Sequence, residues 1–191
     1  MPILRKESDI FPENLFEIPT ADAPWEIAHV RSRQEKSVAR LLLENDMPFY
    51  LPQIEKKTKS AGKTRISHLP LFPGYLFLRR VEGLRETLWR TNVIANMLDV
   101  PDQDQLTAEL QQIRQLQDRG AVLTPQIELV PGDAVRIEDG AFRGYTGIVV
   151  KERGALRLIV SVSILRKSVA VELPREVLAQ VKPGDRIRRR V

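Results

Sequence analysis

The rhythm of apolar positions changes twice along the chain, and each change predicts a different kind of structure. Residues 1–22 hold no sustained period and are interrupted by Pro2, Pro12 and Pro19. They predict an irregular, partly disordered extension. From Trp25 the pattern organises. Trp25-Glu26-Ile27-Ala28-His29-Val30 loosely alternates, as a half-buried strand does. Ser32-Arg33-Gln34-Glu35 has the form of a capping box, in which hydroxyl and carboxylate satisfy orphan N–H groups reciprocally. Val38, Leu41 and Leu42 follow at helical spacing, so a helix is predicted over 33–44, ended by Asn45-Asp46. A second strand is predicted over 49–54, leading into a basic run with Gly62 at a hairpin tip or loop. Pro70-Leu71-Phe72-Pro73 then leads into an apolar strand over 75–78, with the prolines at its entrance, where no ladder donor is needed. A short helix over 83–91 and a strand over 93–100 come next. An amphipathic helix carrying Leu106, Leu110, Ile113 and Leu116 then runs to about residue 119. The order β-α-β-β-α-β-α is the split βαβ, ferredoxin-like arrangement with one appended helix.

Beyond it the period becomes two. Residues 120–130 have no clear rhythm, contain Pro125 and predict a linker. Four short alternating runs follow, at 134–137, 147–151, 156–162 and 168–173, with a last strand expected near 178–181. About fifty residues of this kind, 131–182, predict a small, five-stranded, SH3-like β-barrel. Residues 183–191 form a basic tail. The fold class is therefore α+β, in two domains.

Composition narrows the function. The 191 residues include no cysteine, which excludes disulfides, thiolate metal sites and a cysteine nucleophile. No apolar stretch approaches a membrane span, and the N-terminus lacks a signal h-region, so a cytoplasmic, non-membrane protein is expected. The net charge of +5 is unevenly placed. Residues 131–191 hold 13 Lys+Arg against 7 Asp+Glu, and the remainder 17 against 18. Within that neutral remainder Lys56, Lys57, Lys59, Lys63 and Arg65 form a local basic run. Such a cluster attracts phosphate backbones by releasing counterions, and equally suits a solvated loop. His29 and His68 show no metal-ligand spacing, and no phosphate-cradling glycine loop or nucleophile elbow occurs. Neither an enzyme nor a cofactor site is predicted. The glycine-rich Asp139-Gly140-Ala141-Phe142-Arg143-Gly144-Tyr145-Thr146-Gly147 presents Phe142 on an expected exposed loop, a ready interface anchor.

These segments also resemble a known family. Pro131-Gly132-Asp133-Ala134-Val135-Arg136-Ile137, Asp139-Gly140-Ala141-Phe142, Gly147-Ile148-Val149, Val160-Ser161-Val162-Ser163-Ile164 and Val171-Glu172-Leu173 look like the KOW domain of NusG transcription factors. Residues 23–119 resemble their NGN domain through Trp25, Glu35 and Pro70-Leu71-Phe72-Pro73-Gly74-Tyr75-Leu76-Phe77. The resemblance implies a monomeric transcription elongation, antitermination or termination factor whose NGN domain docks on the clamp helices of the largest RNA polymerase subunit. Phe72, Pro73, Gly74 and Tyr75 match that docking site. It also implies that the basic run lies near upstream DNA. Phe142, Ile164 and Leu165 would meet a second partner, which in the family is termination factor Rho or a small-subunit ribosomal protein. Where the family carries an aromatic-Gly-Arg turn this chain has Leu165-Arg166-Lys167, which leaves the second partner open. The Pro-Leu-Phe-Pro motif leans toward specialised, RfaH-like paralogues. The alternating, β-branched run 156–173 nevertheless predicts strands rather than a helical state. A ribosome-associated or RNA-binding KOW protein is the alternative, and an NGN-like first domain is what discriminates against it.

Overall fold

The computed structural model describes residues 7–60, 63–126, 135–137, 142–152 and 155–173. The chain divides into two compact units, Met1–Thr107 and Ala108–Val191.

The first unit begins with an element that the apolar rhythm does not announce. Ile10–Phe11 forms strand β1, and Leu15–Glu17 a 3-10 turn. Ile10 and Leu15 are buried, and the Phe16 ring sits 5.4 Å from Tyr50 and 5.7 Å from Trp25. Residues 7–22 are thus part of the fold and not an irregular extension. Pieces of two and three residues are too short to set a period.

The remaining elements are β2 (Trp25–Val30), α1 (Glu35–Glu44), β3 (Phe49–Tyr50), β4 (Gln53–Ser60), β5 (Lys63–Pro70), β6 (Tyr75–Arg79), α2 (Leu84–Arg90), β7 (Ile94–Asp99) and α3 (Gln103–Asp118). The boundary between units falls within α3, not at residue 119. An antiparallel sheet has the order β1-β3-β6-β2-β7. The strand expected over 49–54 is two strands. β3 stays in this sheet, whereas β4 pairs with β5 as a separate two-stranded ribbon.

Alternation sorts the sheet's residues. Ala28, Val30, Leu76 and Leu78 join Val38 and Leu42 of α1 and Leu84 and Leu88 of α2 in one buried cluster. Each of the valine and leucine side chains, fully buried, contributes roughly 1.5–3 kcal/mol. The opposite face carries Trp25, Ile27, Phe77 and Arg79. Arg79 is fully buried, its guanidinium 4.6 Å above the Trp25 ring, and Nη2 donates to the carbonyls of Ile18 and Pro19. Burial lowers its pKa from the ordinary arginine value. Buried Glu26 is met by the half-exposed Arg80 and Arg85, which also approach Asp99.

The second unit holds β8 (Leu123–Gln126), β9 (Val135–Arg136), β10 (Thr146–Glu152), β11 (Ala155–Val162) and β12 (Lys167–Leu173), in the antiparallel order β8-β12-β11-β10-β9. The linker expected at 120–130 therefore contains a strand. Pro125 lies opposite Val169 on the outermost strand, the position where a missing N–H costs no ladder bond. The segment 156–173 is strand, a 3-10 turn at Ser163–Leu165, and strand. The strand expected near 178–181 and the basic tail lie outside the described residues.

Candidate interaction surfaces

Tyr75 opens β6 opposite His29 of β2, and the two rings stack 4.8 Å apart at 16°. His29 is in turn opposite Asn96 of β7. Directly paired residues share a face, so Tyr75, His29 and Asn96 form one row across three strands, with the two rings half-buried and Asn96 exposed. Phe72 is different. It lies before the strand, is only 2% exposed and meets Phe77 edge-on at 5.9 Å, so its ring belongs to the core. Pro73 is exposed.

Gly74 shapes this row. Its φ is +86°, in the left-handed region where a side chain is strained, and a Cβ there would sit 3.4 Å from the His29 ring. Its carbonyl accepts from Val30 N–H at 2.8 Å, and its own N–H donates to Glu35 Oε1 at 2.7 Å. Here the capping box fails. Arg33 has φ +64°, α1 starts at Glu35, and no side chain caps it. The buried Glu35 carboxylate reaches across to the Gly74 turn instead. Gly74→Ala is expected to cost about 1–2 kcal/mol from the left-handed conformation alone, and Glu35→Gln about 1–2 kcal/mol as the charge-assisted bond weakens. Urea unfolding of both variants checks these values.

The basic run is the ribbon itself. Lys56, Lys57, Lys59, Lys63 and Arg65 are all exposed, and Ile66 is 42% exposed. Residues 61–62, with the expected Gly62 tip, lie outside the described residues, while Ser60 still pairs with Lys63 across it.

In the second unit Phe142 is half-buried, its ring 6.0 Å from the buried Tyr145. It is therefore not a freely projecting loop aromatic. Ile164 and Leu165 are half-buried on the Ser163–Leu165 turn. The register pairing Ile148 with Ile159 brings the turn before β10 and the turn after β11 to one end of the sheet. At that end Glu109 accepts from Ser163 N–H and Oγ–H at 3.0 and 2.6 Å, and Gln112 pairs with both backbone groups of Thr146. Arg166 takes φ +50°, the left-handed conformation that suits glycine and taxes a β-branched residue. Arg166→Val is expected to destabilise the sheet by about 1–2 kcal/mol, readable as a lower urea midpoint, with Arg166→Gly tolerated.

Among the described residues no group of His, Asp and Glu is placed to hold a metal ion, and no helix is long and apolar enough to cross a membrane. A row of aromatic rings, a basic ribbon and two loops at a sheet end are the candidate surfaces. The family model described as "Transcription termination factor nusG" matches residues 23–130, more than half of the chain. The chain belongs to the NusG family. That is a family of non-enzymatic transcription factors, and the match covers 23–107 of the first unit, the feature that a ribosomal KOW protein does not need, and continues to residue 130. The transcription termination/antitermination protein NusG of Buchnera aphidicola subsp. Baizongia pistaciae is 28% identical over 135 residues, 64% of this chain and 72% of its own length. That of Pseudomonas aeruginosa is 27% identical over 165 residues, 78% of this chain and 93% of its own. A solved structure of NusG from Thermotoga maritima aligns with 87% of this chain and 100% of its own, at 17% identity and a TM-score of 0.46. His29 and Glu35 are parts of the Tyr75 surface that strand alternation and capping logic did not assign to it. Cross-strand register joins His29 to Tyr75, and the packing of α1 joins Glu35 to Gly74; one sequence contains neither.

Proposed function

We propose that the chain is a transcription termination/antitermination factor that docks on the clamp helices of the largest RNA polymerase subunit through the surface around Tyr75. The observation that carries this reading is the Tyr75–His29 stack, an aromatic platform at the end of the Pro73-Gly74 turn. Half-buried aromatics on a rigid strand are the usual anchors of an interface, because little side-chain freedom is lost on binding. Pro73 flanks the platform, Gly74 sets its backbone, and Phe72 is buried against Phe77. The ribbon's cations, Lys56, Lys57, Lys59, Lys63 and Arg65, lie against upstream DNA. The second domain, a KOW barrel in this reading, recruits another component of the machinery through Phe142, Ile164 and Leu165.

Pull-down of RNA polymerase tests the docking site. Tyr75→Ala is expected to weaken retention about 30-fold, the equivalent of about 2 kcal/mol at an interface anchor, with the far-UV spectrum unchanged. Phe142→Ala, in the other domain, should retain polymerase normally. Wild-type retention by Tyr75→Ala and His29→Ala together would remove the assignment. Phe72→Ala is a poor probe, since emptying a core aromatic site costs about 3–5 kcal/mol of stability.

A further inference from the structure

The Tyr75–His29 pair stands on a turn that its own residues do not fix. Gly74 precedes Tyr75 with φ +86°, and a glycine can leave that conformation at little cost. Two hydrogen bonds hold it there. Its carbonyl accepts from Val30 N–H at 2.8 Å, which ties the turn to the end of β2 just after His29. Its N–H donates to Glu35 Oε1 at 2.7 Å, across 39 positions of sequence. Glu35 is the first residue of α1 and only 5% exposed. Through Val38 and Leu42, α1 packs with Ala28, Val30, Leu76 and Leu78. His29 and Tyr75 alternate with those strand residues and therefore belong to the opposite face of the sheet. The carboxylate thus comes from the helix side and reaches the ring pair through the Gly74 backbone.

We infer that Glu35 is a positioning residue for docking: its carboxylate sets the Gly74 peptide and thereby the plane of the Tyr75 ring against His29. This role rests on the docking reading proposed above. A rotation at Gly74 swings the residue that follows it, and the two rings lie 4.8 Å apart and only 16° from parallel. Loss of the acceptor leaves a buried N–H unpaired, and the turn rearranges to satisfy it. A carboxylate holds such an N–H more firmly than a neutral oxygen does. Glutamine weakens the bond yet keeps an acceptor at the same reach. Stability and docking therefore separate at this position: glutamine lowers the first and spares the second, whereas alanine lowers both.

The test reads the ring pair and the docking separately, in the full chain. The chain has two histidines, His29 and His68, so a histidine-labelled sample gives two sets of imidazole NMR signals, assigned with His68→Gln. Protons over the face of a phenol ring are shielded, so the His29 signals are displaced upfield, and Tyr75→Ala abolishes the displacement. Glu35→Ala is expected to lose most of it and to weaken retention of RNA polymerase about tenfold. Glu35→Gln is expected to restore the displacement and to recover retention to within about twofold of wild type. Leu88→Ala, which empties a core site on α2, should retain polymerase normally. Should Glu35→Ala not fold, Glu35→Asp, whose carboxylate is one methylene shorter, is read in the same way. Glu35→Ala with the displacement intact overturns the positioning role, whatever its retention. So does normal retention by Glu35→Ala while Tyr75→Ala is weakened. A loss by Leu88→Ala equal to that of Glu35→Ala overturns it too, because lowered stability alone then governs retention. Normal retention by Tyr75→Ala instead removes the docking reading, and with it the role given to Glu35.

Discussion

Trp25→Ala is expected to lower the stability of the first unit by about 4 kcal/mol, the middle of the range for emptying a buried aromatic site. Trp25 is 1% exposed and opens β2 at a point where several elements converge. Its indole N–H donates to Thr107 Oγ1 at 2.9 Å, while its backbone N–H and carbonyl are both met by the Gln103 side-chain amide at 2.6 and 3.1 Å. The ring also lies under Arg79 and against Phe16. Truncation therefore leaves a cavity, removes the indole donor to Thr107 Oγ1 and takes the aromatic face from a buried guanidinium. Against a typical total of about 5–15 kcal/mol, such a loss brings the unit near its threshold. The chain has two tryptophans, and Trp89 is 52% exposed. Trp25→Ala removes its own fluorophore, so urea unfolding followed by far-UV circular dichroism reads the loss, and Phe16→Ala should show a smaller shift of the same transition.

Gly147→Ala is expected to cost about 3 kcal/mol and to melt the second sheet first. A Cβ there would come under 3.0 Å from both the Ile159 carbonyl oxygen and Leu158 Cδ1. The carbonyl is backbone of the neighbouring strand, so relief requires moving β11 away from β10. The unit is small and has little burial to draw on. Amide exchange in β10 and β11 should accelerate while protection in β2 and β6 is unchanged. Protection equal to wild type in all four strands would show that the close approach is absent.

Elements with several apolar positions were legible in the sequence; the shortest ones, and the long but largely exposed, polar strands β4 and β5, were not. β2, α1, α2, α3 and the later strands each carry several apolar positions in one period, enough to show against noise. β1 has two residues and the first 3-10 turn three, so their apolar positions look scattered. β8 was hidden by Pro125, because a proline reads as a break unless the strand is known to be outermost. The candidate docking segment was legible by motif, but its division of labour was not. Phe72 and Tyr75 look alike in sequence, and only the start of β6 at Tyr75 separates a core ring from a surface one. The Ser32–Glu35 pattern misled for a physical reason. A local cap competes with any better donor that the fold brings close, and the Gly74 N–H is such a donor.

The Arg79 clamp bears on where this protein can be cut. The family match begins at residue 23, which makes 23–130 the natural choice for an isolated fragment. That cut deletes the Ile18 and Pro19 carbonyls that receive the Arg79 guanidinium, and the Phe16 ring that covers Trp25 and Tyr50. The fragment would expose an aromatic wall with an orphaned cation at its centre, a surface prone to self-association. The border of homology and the border of the folding unit are different lines in this chain, and the strand Ile10–Phe11 and the turn Leu15–Glu17 lie between them.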